Sequence, residues 1–516
     1  MKWVVNRKAG RALAAGIGAA VLLVGCSQGG SADSTDSSPD ALDGTDAALS
    51  EFYQQELSWG ECGQVDNGTD LECADLTVPV DYADPQGETT TVVMARTTGS
   101  GNAAQGSLLM NPGGPGGSGV DFMQYASTLF SQDVLDNYQV VSFDPRGVFR
   151  SDGITCLSDS ELDQWRENST FDPETDSIDV IREEYRTVGQ ACQENSGPVL
   201  EHMDTESVAR DMDVMRAVLG DAQTNYLGFS YGTQLGSTYA QLFPERVGRF
   251  VLDGAVDPSL TSSQITLGQA RSFDESLREF VRDCTENNNM CFTDGSVDDG
   301  LEQIQTILDR TLEHTITAGG RTVSTVTAAE GVLVPLYSPA SYGTLNLALR
   351  DAQDGDYSAL QRLSDANHGR TSNGSYRGNS TFAFSAVNCL DYNTRDVTDQ
   401  QMNDDQDELQ AAAPVFGQYL GYADAACQDW PVAPVHSAEP ATYDGDSQIL
   451  VVGTQHDPAT PYPWAEALTE QLGNARLLTY DGWGHGAYTS GNSCVVEAVN
   501  TYLVDGDVPE EGQVCG

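Results

Sequence analysis

Short apolar segments recur along the chain, and turn residues bound each of them. Several are continuous apolar runs rather than alternating ones, which is typical of parallel strands covered on both faces. Eight strands are predicted in this way: Leu76–Val80, Thr90–Arg96, Ser107–Asn111, Gln139–Phe143, Asn225–Gly228, Arg249–Leu252, Gln448–Gly453 and Arg476–Tyr480.

Segments with helical periodicity lie between these strands. The clearest runs from Glu206 to Leu219, with one apolar stripe and with Thr205 as its expected N-cap. Strands that alternate with helices predict an α/β fold with a mostly parallel, doubly wound sheet of eight strands.

One connection is far too long for an ordinary crossover. It runs from about Asp253 to Gln448 and contains helical patterns at Ile265–Cys284, Val297–His314 and Asp404–Ala413. We interpret it as a large, mainly helical cap domain that lies over the carboxyl ends of the strands, where such sheets bind ligands. The expected organisation is a signal peptide (1–25), a flexible tether (26–50), a core (51–257 and 447–516) and the cap (258–446).

The first residues predict export. A basic start precedes the short apolar run Ala12 to Val24, and Leu23-Val-Gly-Cys26 resembles a bacterial lipobox. Cys26 is then lipidated and becomes the mature N-terminus, which places the protein at the outer face of the cell membrane. The alternative is an ordinary signal peptide beside a structural cysteine.

Ten further cysteines form an even set, which in an exported chain indicates disulfides. Their spacing suggests five neighbouring pairs, although sequence alone does not fix the connectivity. They are Cys62, Cys73, Cys156, Cys192, Cys284, Cys291, Cys389, Cys427, Cys494 and Cys515. No spacing typical of a zinc site occurs among them, and neither a metal nor another cofactor is expected.

The chain carries 77 acidic residues against 25 basic ones, and both lysines lie in the signal peptide. Phosphate contacts require a basic face, so this charge excludes nucleic acid as a partner. A strongly solvated surface explains the charge most simply. Attraction of cationic substrates, such as the ammonium groups of peptides, is the second explanation.

Candidate chemistry centres on Gly228-Phe-Ser-Tyr-Gly232, which stands between a predicted strand and a predicted helix. This is the G-x-S-x-G pattern of a nucleophile elbow, whose glycines let neighbouring chain pass close to a strained serine. Five residues alone are weak evidence. Ser230 becomes a credible nucleophile only if a base and an orienting acid accompany it.

Only six histidines are available as the base, and His485 is the one that follows the last predicted strand on a glycine-rich loop. Asp457 directly follows the preceding strand, so the order serine, aspartate, histidine is the one this fold requires. Asp253, after an earlier strand, is the alternative acid, although a turn or capping role also suits it.

The oxyanion requires preorganised main-chain donors. One is expected at Tyr231, directly after the nucleophile, and the other in the loop from Asn111 to Gly119, which contains five glycines. Gly114 is the preferred donor and Gly113 the alternative. A further pair in the neighbouring Asp144-Pro-Arg146 segment is expected to form a buried structural ion pair.

Taken together, these motifs resemble α/β-hydrolases of the prolyl-aminopeptidase family, and most closely the secreted tripeptidyl-aminopeptidase branch. Segments such as Leu252-Asp-Gly-Ala-Val-Asp-Pro258 and Ala386-Val-Asn-Cys-Leu-Asp391 carry the closer similarity. Pro112 departs from the family pattern, because single-domain members usually have histidine there. The resemblance implies metal-independent release of tripeptides or shorter units from the free N-terminus of peptides. It also suggests Asp391 as a ligand of the substrate amine, with a capping acid as the alternative.

The sequence therefore predicts a lipid-anchored serine exopeptidase. An esterase, lipase or amidase of the same fold is the main alternative. A noncatalytic binding protein is the third possibility, which the complete serine, aspartate and histidine set disfavours.

Overall fold

A ten-stranded, mostly parallel sheet forms the centre of the described part of the protein. The computed structural model describes residues 46–62, 71–98, 103–169, 177–287 and 290–516. The sheet order is β1-β2-β3-β5-β4-β6-β7-β10-β11-β12, and β8 and β9 form a separate antiparallel hairpin. The strands are β1 (Gly60–Glu61), β2 (Leu71–Pro79), β3 (Thr89–Thr97), β4 (Ser107–Asn111), β5 (Gln139–Phe143), β6 (Thr224–Phe229), β7 (Val247–Asp253), β8 (Ile316–Ala318), β9 (Arg321–Val323), β10 (Ile449–His456), β11 (Ala475–Trp483) and β12 (Val514–Cys515).

All eight predicted strands belong to this sheet, which confirms the α/β-hydrolase fold. The pairings β1–β2, β2–β3 and β3–β5 are antiparallel, and the others in the sheet are parallel. The two-residue edge strands β1 and β12 were not predicted because they are too short to show a pattern. Each adjoins a disulfide, Cys62–Cys73 at β1 and Cys494–Cys515 at β12.

Helices surround the sheet. They are α1 (Ser50–Tyr53), α2 (Gly119–Phe122), α3 (Ala126–Leu129), α4 (Gln132–Asn137), α5 (Asp159–Asn168), α6 (Ile178–Ser196), α7 (Thr205–Leu219), α8 (Tyr231–Leu242), α9 (Ser262–Asn287), α10 (Val297–Glu313), α11 (Thr325–Leu333), α12 (Tyr342–Gln353), α13 (Ser358–Asn367), α14 (Ser380–Asp391), α15 (Asp399–Ala412), α16 (Ala425–Gln428), α17 (Tyr462–Leu472) and α18 (Ser493–Asp505). Short 3-10 turns lie at Ala47–Leu49, Met123–Tyr125, Gly197–His202, Pro244–Arg246, Val334–Tyr337, Pro339–Ser341 and Tyr488–Ser490.

The strands are buried on both faces, as their continuous apolar pattern predicts. In β10, Ile449 and Val451 pack into one core with α7, α8 and α17. Leu450 and Val452 point the other way, into a second core with α2, α4 and α18. Successive side chains of a strand alternate between faces, so an uninterrupted apolar run supplies both cores at once.

The N-terminus of α7 corrects one prediction. Its N-cap is Asp204, whose carboxylate accepts a hydrogen bond from the N–H of Ser207. The prediction of Thr205 as N-cap was wrong, because Thr205 is already helical and donates its N–H and hydroxyl to Asp391. Aspartate caps helices at least as well as threonine, so residue type alone does not separate Asp204 from Thr205.

Eight helices and the β8–β9 hairpin lie among the described residues between β7 and β10, and α9, α10 and α15 confirm the three helices predicted there. Much of this segment surrounds an apolar core of its own. Residues of α14 and α16 instead share a core with residues of the segment between β5 and α7, including α5 and α6. The helical region therefore draws on two stretches of chain, and the cap boundaries 258–446 stay a prediction.

Candidate active site

Ser230 lies in the turn between β6 and α8, with φ 56° and ψ −126°. Non-glycine residues rarely adopt positive φ, and such strain costs about 1–3 kcal/mol. The N–H of Ser230 donates to the carbonyl of Asp253 at 3.0 Å, and its own carbonyl accepts from the N–H of Thr233 at 2.7 Å. These bonds hold the serine in the strained position that a nucleophile elbow requires.

The flanking glycines have the steric role that the motif predicts. A Cβ at Gly228 would overlap the carbonyl oxygen of Gly232, and one at Gly232 would lie 2.9 Å from the carbonyl oxygen of Asn111. The turn therefore packs backbone against backbone, which leaves no space for a side chain at either position.

His485 and Asp457 are in direct contact. The Nδ1 atom of His485 lies 2.9 Å from Oδ1 and 3.0 Å from Oδ2 of Asp457. Oδ1 also accepts the N–H groups of Ala459 and Thr460, both at 2.9 Å. The carboxylate is thus fixed in place and holds the ring by Nδ1, which leaves Nε2 as the nitrogen available to act as a base.

The charge of Asp457 also affects the pKa of His485. Burial alone would lower the pKa of His485, but the Asp457 carboxylate and its hydrogen bond outweigh burial and raise that pKa above its ordinary value. The side chain of Asp457 is 0% exposed and that of His485 13% exposed. An imidazole in this setting accepts a proton more readily than a free one, as a general base must.

The glycine-rich loop after β4 runs against the nucleophile turn. A Cβ at Gly113 would lie 2.5 Å from the carbonyl oxygen of Phe229 and 2.9 Å from Cβ of Ser230. The N–H of Gly113 already donates to Oδ1 of Asn111 at 2.9 Å. This engagement favours Gly114 over Gly113 as the oxyanion donor, and the assignment of Gly114 and Tyr231 stays a prediction.

Asp144 and Arg146 are buried, as predicted, but they do not pair with each other. Arg146 forms a fully buried ion pair with Asp211, at 2.6 Å. Asp144 accepts from the hydroxyl of Ser118 and faces Arg150 at 3.3 Å. The expected pair was wrong because neighbouring residues of a loop point in different directions, and sequence does not reveal either partner.

Asp391 is buried beneath the first turn of α7. Its two carboxylate oxygens accept the N–H of Thr205 at 2.9 Å and the Thr205 hydroxyl at 2.5 Å. Burial raises the pKa of Asp391 to about 7, partly offset by these bonds and reinforced by the charge of Asp204. The geometry favours the capping alternative over a ligand for the substrate amine, and the amine role stays an untested prediction.

Tyr337 and Asp253 also lie close to the triad, and of the two only Asp253 was considered from the sequence. The carbonyl of Tyr337, in the long insertion, accepts the N–H of His485 at 2.9 Å, and the two rings pack edge to face at 5.4 Å. Asp253, considered as an alternative acid, bonds instead to the main chain after His485. No sequence signal identifies Tyr337, because its contribution is a carbonyl that every residue type carries.

The ten cysteines of the described residues form five disulfides between sequence neighbours: Cys62–Cys73, Cys156–Cys192, Cys284–Cys291, Cys389–Cys427 and Cys494–Cys515. Disulfides persist in oxidising compartments, so this set indicates an extracytoplasmic protein. The predicted lipidation site, Cys26, lies outside the described residues. In the part of the chain that is described, no helix has the length and apolarity to cross a membrane, and no cluster of metal-ligating side chains is formed.

Comparison with known proteins places this geometry in a family. Residues 106–293 match the α/β-hydrolase fold family, and residues 413–515 match the family of TAP-like proteins. The serine protease Hip1 of Mycobacterium tuberculosis is 35% identical over 457 residues, which cover 86% of this chain and 87% of that protein. The chain belongs to the TAP-like α/β-hydrolases.

Other relatives of this TAP-like α/β-hydrolase carry different names. Carboxylesterase B of Mycobacterium tuberculosis is 35% identical over 470 residues, covering 89% of each chain. The tripeptidyl aminopeptidase of Streptomyces lividans is 29% identical over 472 residues, covering 89% of this chain and 86% of that protein. The TAP-like α/β-hydrolase described here is accordingly a serine hydrolase, of the peptidase or the esterase kind.

Proposed function

We propose that this serine hydrolase is an exopeptidase that releases short peptides, chiefly tripeptides, from the free N-terminus of peptides. The observation that carries the proposal is the fixed contact between His485 and Asp457 beside the strained turn of Ser230. The relatives named as a serine protease and a tripeptidyl aminopeptidase support a peptide substrate.

The proposed reaction uses each of these groups. The hydroxyl of Ser230 attacks the scissile carbonyl while Nε2 of His485 takes its proton, and Asp457 stabilises the imidazolium that forms. The N–H groups of Tyr231 and Gly114 stabilise the oxyanion. His485 then protonates the leaving amine, and water, activated by the same histidine, hydrolyses the acyl-enzyme to regenerate Ser230.

Contacts from the helical region favour an end-acting enzyme. The carbonyl of Tyr337 is bonded to the N–H of His485, and the oxyanion loop touches α14, where a Cβ at Gly116 would lie 2.9 Å from Cβ of Ala383. Helical segments thus contact both the loop of the base and the loop of the proposed oxyanion donor. A bordered site admits a chain end or a short peptide more readily than the middle of a folded chain.

The acidic surface and the predicted anchor complete the proposal. A net charge of −52 attracts the ammonium group of a free N-terminus, and lipidation at Cys26 holds the enzyme at the outer face of the membrane. Peptide substrates and the membrane are therefore its proposed partners.

The second candidate is an esterase, which the relative named carboxylesterase B favours. The two functions separate in one assay on the mature protein, with tripeptide, dipeptide and single-residue amide reporters, their N-blocked counterparts and acyl esters. Cleavage of free peptides with little cleavage of blocked ones supports the exopeptidase. A clear preference for acyl esters contradicts it and supports the esterase.

A further inference from the structure

Asp253, the last residue of β7, is bonded to both halves of the catalytic site. Its main-chain carbonyl accepts the N–H of Ser230 at 3.0 Å. Its carboxylate accepts the N–H of Ala487 at 2.9 Å and the N–H of Tyr488 at 2.8 Å. Ala487 and Tyr488 directly follow the loop of His485, so one residue connects the nucleophile turn with the base.

The burial of Asp253 makes this connection rigid. The residue is 0% exposed, and each carboxylate oxygen receives one main-chain N–H group. A buried carboxylate that loses such partners carries a large desolvation penalty, so the bonds are retained in the folded state. The neighbouring Gly254 adds close packing, because a Cβ there would lie 3.0 Å from Cε1 of His485.

We propose that Asp253 is a positioning residue, which aligns the imidazole of His485 with the Ser230 hydroxyl through main-chain bonds to both segments. It is not a second orienting acid, since Asp457 is the carboxylate bonded to Nδ1 of His485. The inference rests on the proposed function, in which Ser230 and His485 act together.

The charge of Asp253 also acts on the base. The titratable groups that act on Asp253 are His485 and Asp457, and the pKa of the nearby Tyr488 phenol is raised by burial and by the Asp253 charge. Burial raises the pKa of Asp253 to about 6, so the carboxylate is mainly ionised at neutral pH. Burial and Asp457 have larger effects on the pKa of His485, and the charge of the Asp253 carboxylate raises it further. Removing this charge should lower that pKa.

The test replaces Asp253 by asparagine, which keeps the shape but removes the charge and offers an N–H₂ group to one main-chain N–H donor. We expect Asp253→Asn to lower kcat by about 10- to 100-fold with little change in KM, because misalignment of reacting groups slows chemistry. The acid limb of kcat/KM should move to lower pH, since His485 must be neutral to act as base and its pKa falls.

Asp221→Asn is the matched control. Asp221 is also an acid with a pKa raised to about 6 by burial, and it accepts a main-chain N–H, that of Ser107, at the opposite edge of the sheet. This control should keep the kcat and the acid limb of the unchanged enzyme. The proposal is overturned if Asp253→Asn has the same kcat and the same acid limb as the control. It is also overturned if activity falls only in proportion to the loss of folded protein and the acid limb of kcat/KM does not move.

A second variant tests the positioning role of Asp253 if Asp253→Asn does not fold. Ala487 has φ −71°, which proline also adopts, so Ala487→Pro removes one bond to Asp253 and leaves its carboxylate in place. We expect a lower kcat, and an unchanged kcat overturns the proposal. Ser230→Ala, assayed in parallel, separates the two ideas: if it stays active, the proposed function itself fails, whatever the Asp253 variants do.

Discussion

The main-chain carbonyl of Tyr337 accepts a hydrogen bond from the main-chain N–H of His485 at 2.9 Å. Through this bond, and through the edge-to-face contact of the two rings, the long insertion reaches the base of the proposed triad. The helical region therefore does more than border the substrate site, because its position affects the environment of the imidazole.

Removal of the Tyr337 ring tests that influence. Burial is the largest effect on the pKa of His485 and acts to lower it, so Tyr337→Ala, which lets water reach the imidazole, should raise that pKa. The acid limb of kcat/KM should then move to higher pH, opposite to the shift expected for Asp253→Asn. Tyr337→Phe, which keeps the ring, is the control. The same acid limb of kcat/KM in the alanine and phenylalanine variants would contradict the argument.

Asp457→Asn tests the orienting acid. An amide in place of the carboxylate favours the wrong tautomer of His485 and no longer stabilises the imidazolium, so kcat should fall by about 10⁴-fold. Steady-state kinetics with a free tripeptide amide measure the change, and circular dichroism checks the fold. If this variant kept near-normal kcat, Asp253 would regain its place as the alternative acid.

Gly113→Ala tests the contact between the oxyanion loop and the nucleophile turn. Gly113 has φ 92° and no space for a Cβ beside Ser230, whereas Gly320 has φ 84° and nothing within 4 Å of an added Cβ. Both alanine variants bear similar backbone strain, of about 1–3 kcal/mol. We expect only Gly113→Ala to lose most of its kcat at equal folded fraction, and equal kcat in the two variants would contradict a catalytic position for the loop.

Asp391→Asn tests the capping role through the pH dependence of stability. The folded pKa of Asp391, about 7, lies above its unfolded value of about 4, so the folded state binds more protons in this range. Stability contributed by the protonated acid is present below pH 4 and is lost as pH rises to about 7. Asparagine stays neutral, so the free energy of unfolding of the variant should fall less between pH 4 and 7.

Denaturant titrations at several pH values measure this difference. The ratio of activity on free to N-blocked tripeptides should be the same for Asp391→Asn and the unchanged enzyme. A selective loss of activity on free peptides would instead restore Asp391 as a ligand of the substrate amine.

Much of this architecture was predictable because it depends on local patterns. Continuous apolar runs identified the eight main strands, and the order of Ser230, Asp457 and His485 along them follows from the fold. Contacts between distant segments were not predictable. The pairing of Arg146 with Asp211 and the bond between Tyr337 and His485 depend on how loops fold over the sheet, which no local pattern encodes.

The position of Asp253 lies between these cases. Sequence placed it at the end of a strand near Ser230, which made it a reasonable alternative acid. Only the structure shows that its carboxylate is bonded to the N–H groups of Ala487 and Tyr488 rather than to the imidazole. Which acid meets the histidine depends on side-chain direction, and strand order alone does not determine it.

The most direct test of the proposed exopeptidase is a comparison of kcat/KM on one tripeptide amide with a free and with an acetylated N-terminus. The enzyme and its Ser230→Ala variant are assayed side by side, with an acyl ester as the third substrate. Under the exopeptidase proposal we expect efficient cleavage of the free peptide, little cleavage of the acetylated one or the ester, and almost no activity in the variant. Equal cleavage of free and acetylated peptides, preference for the ester, or full activity of Ser230→Ala would contradict it.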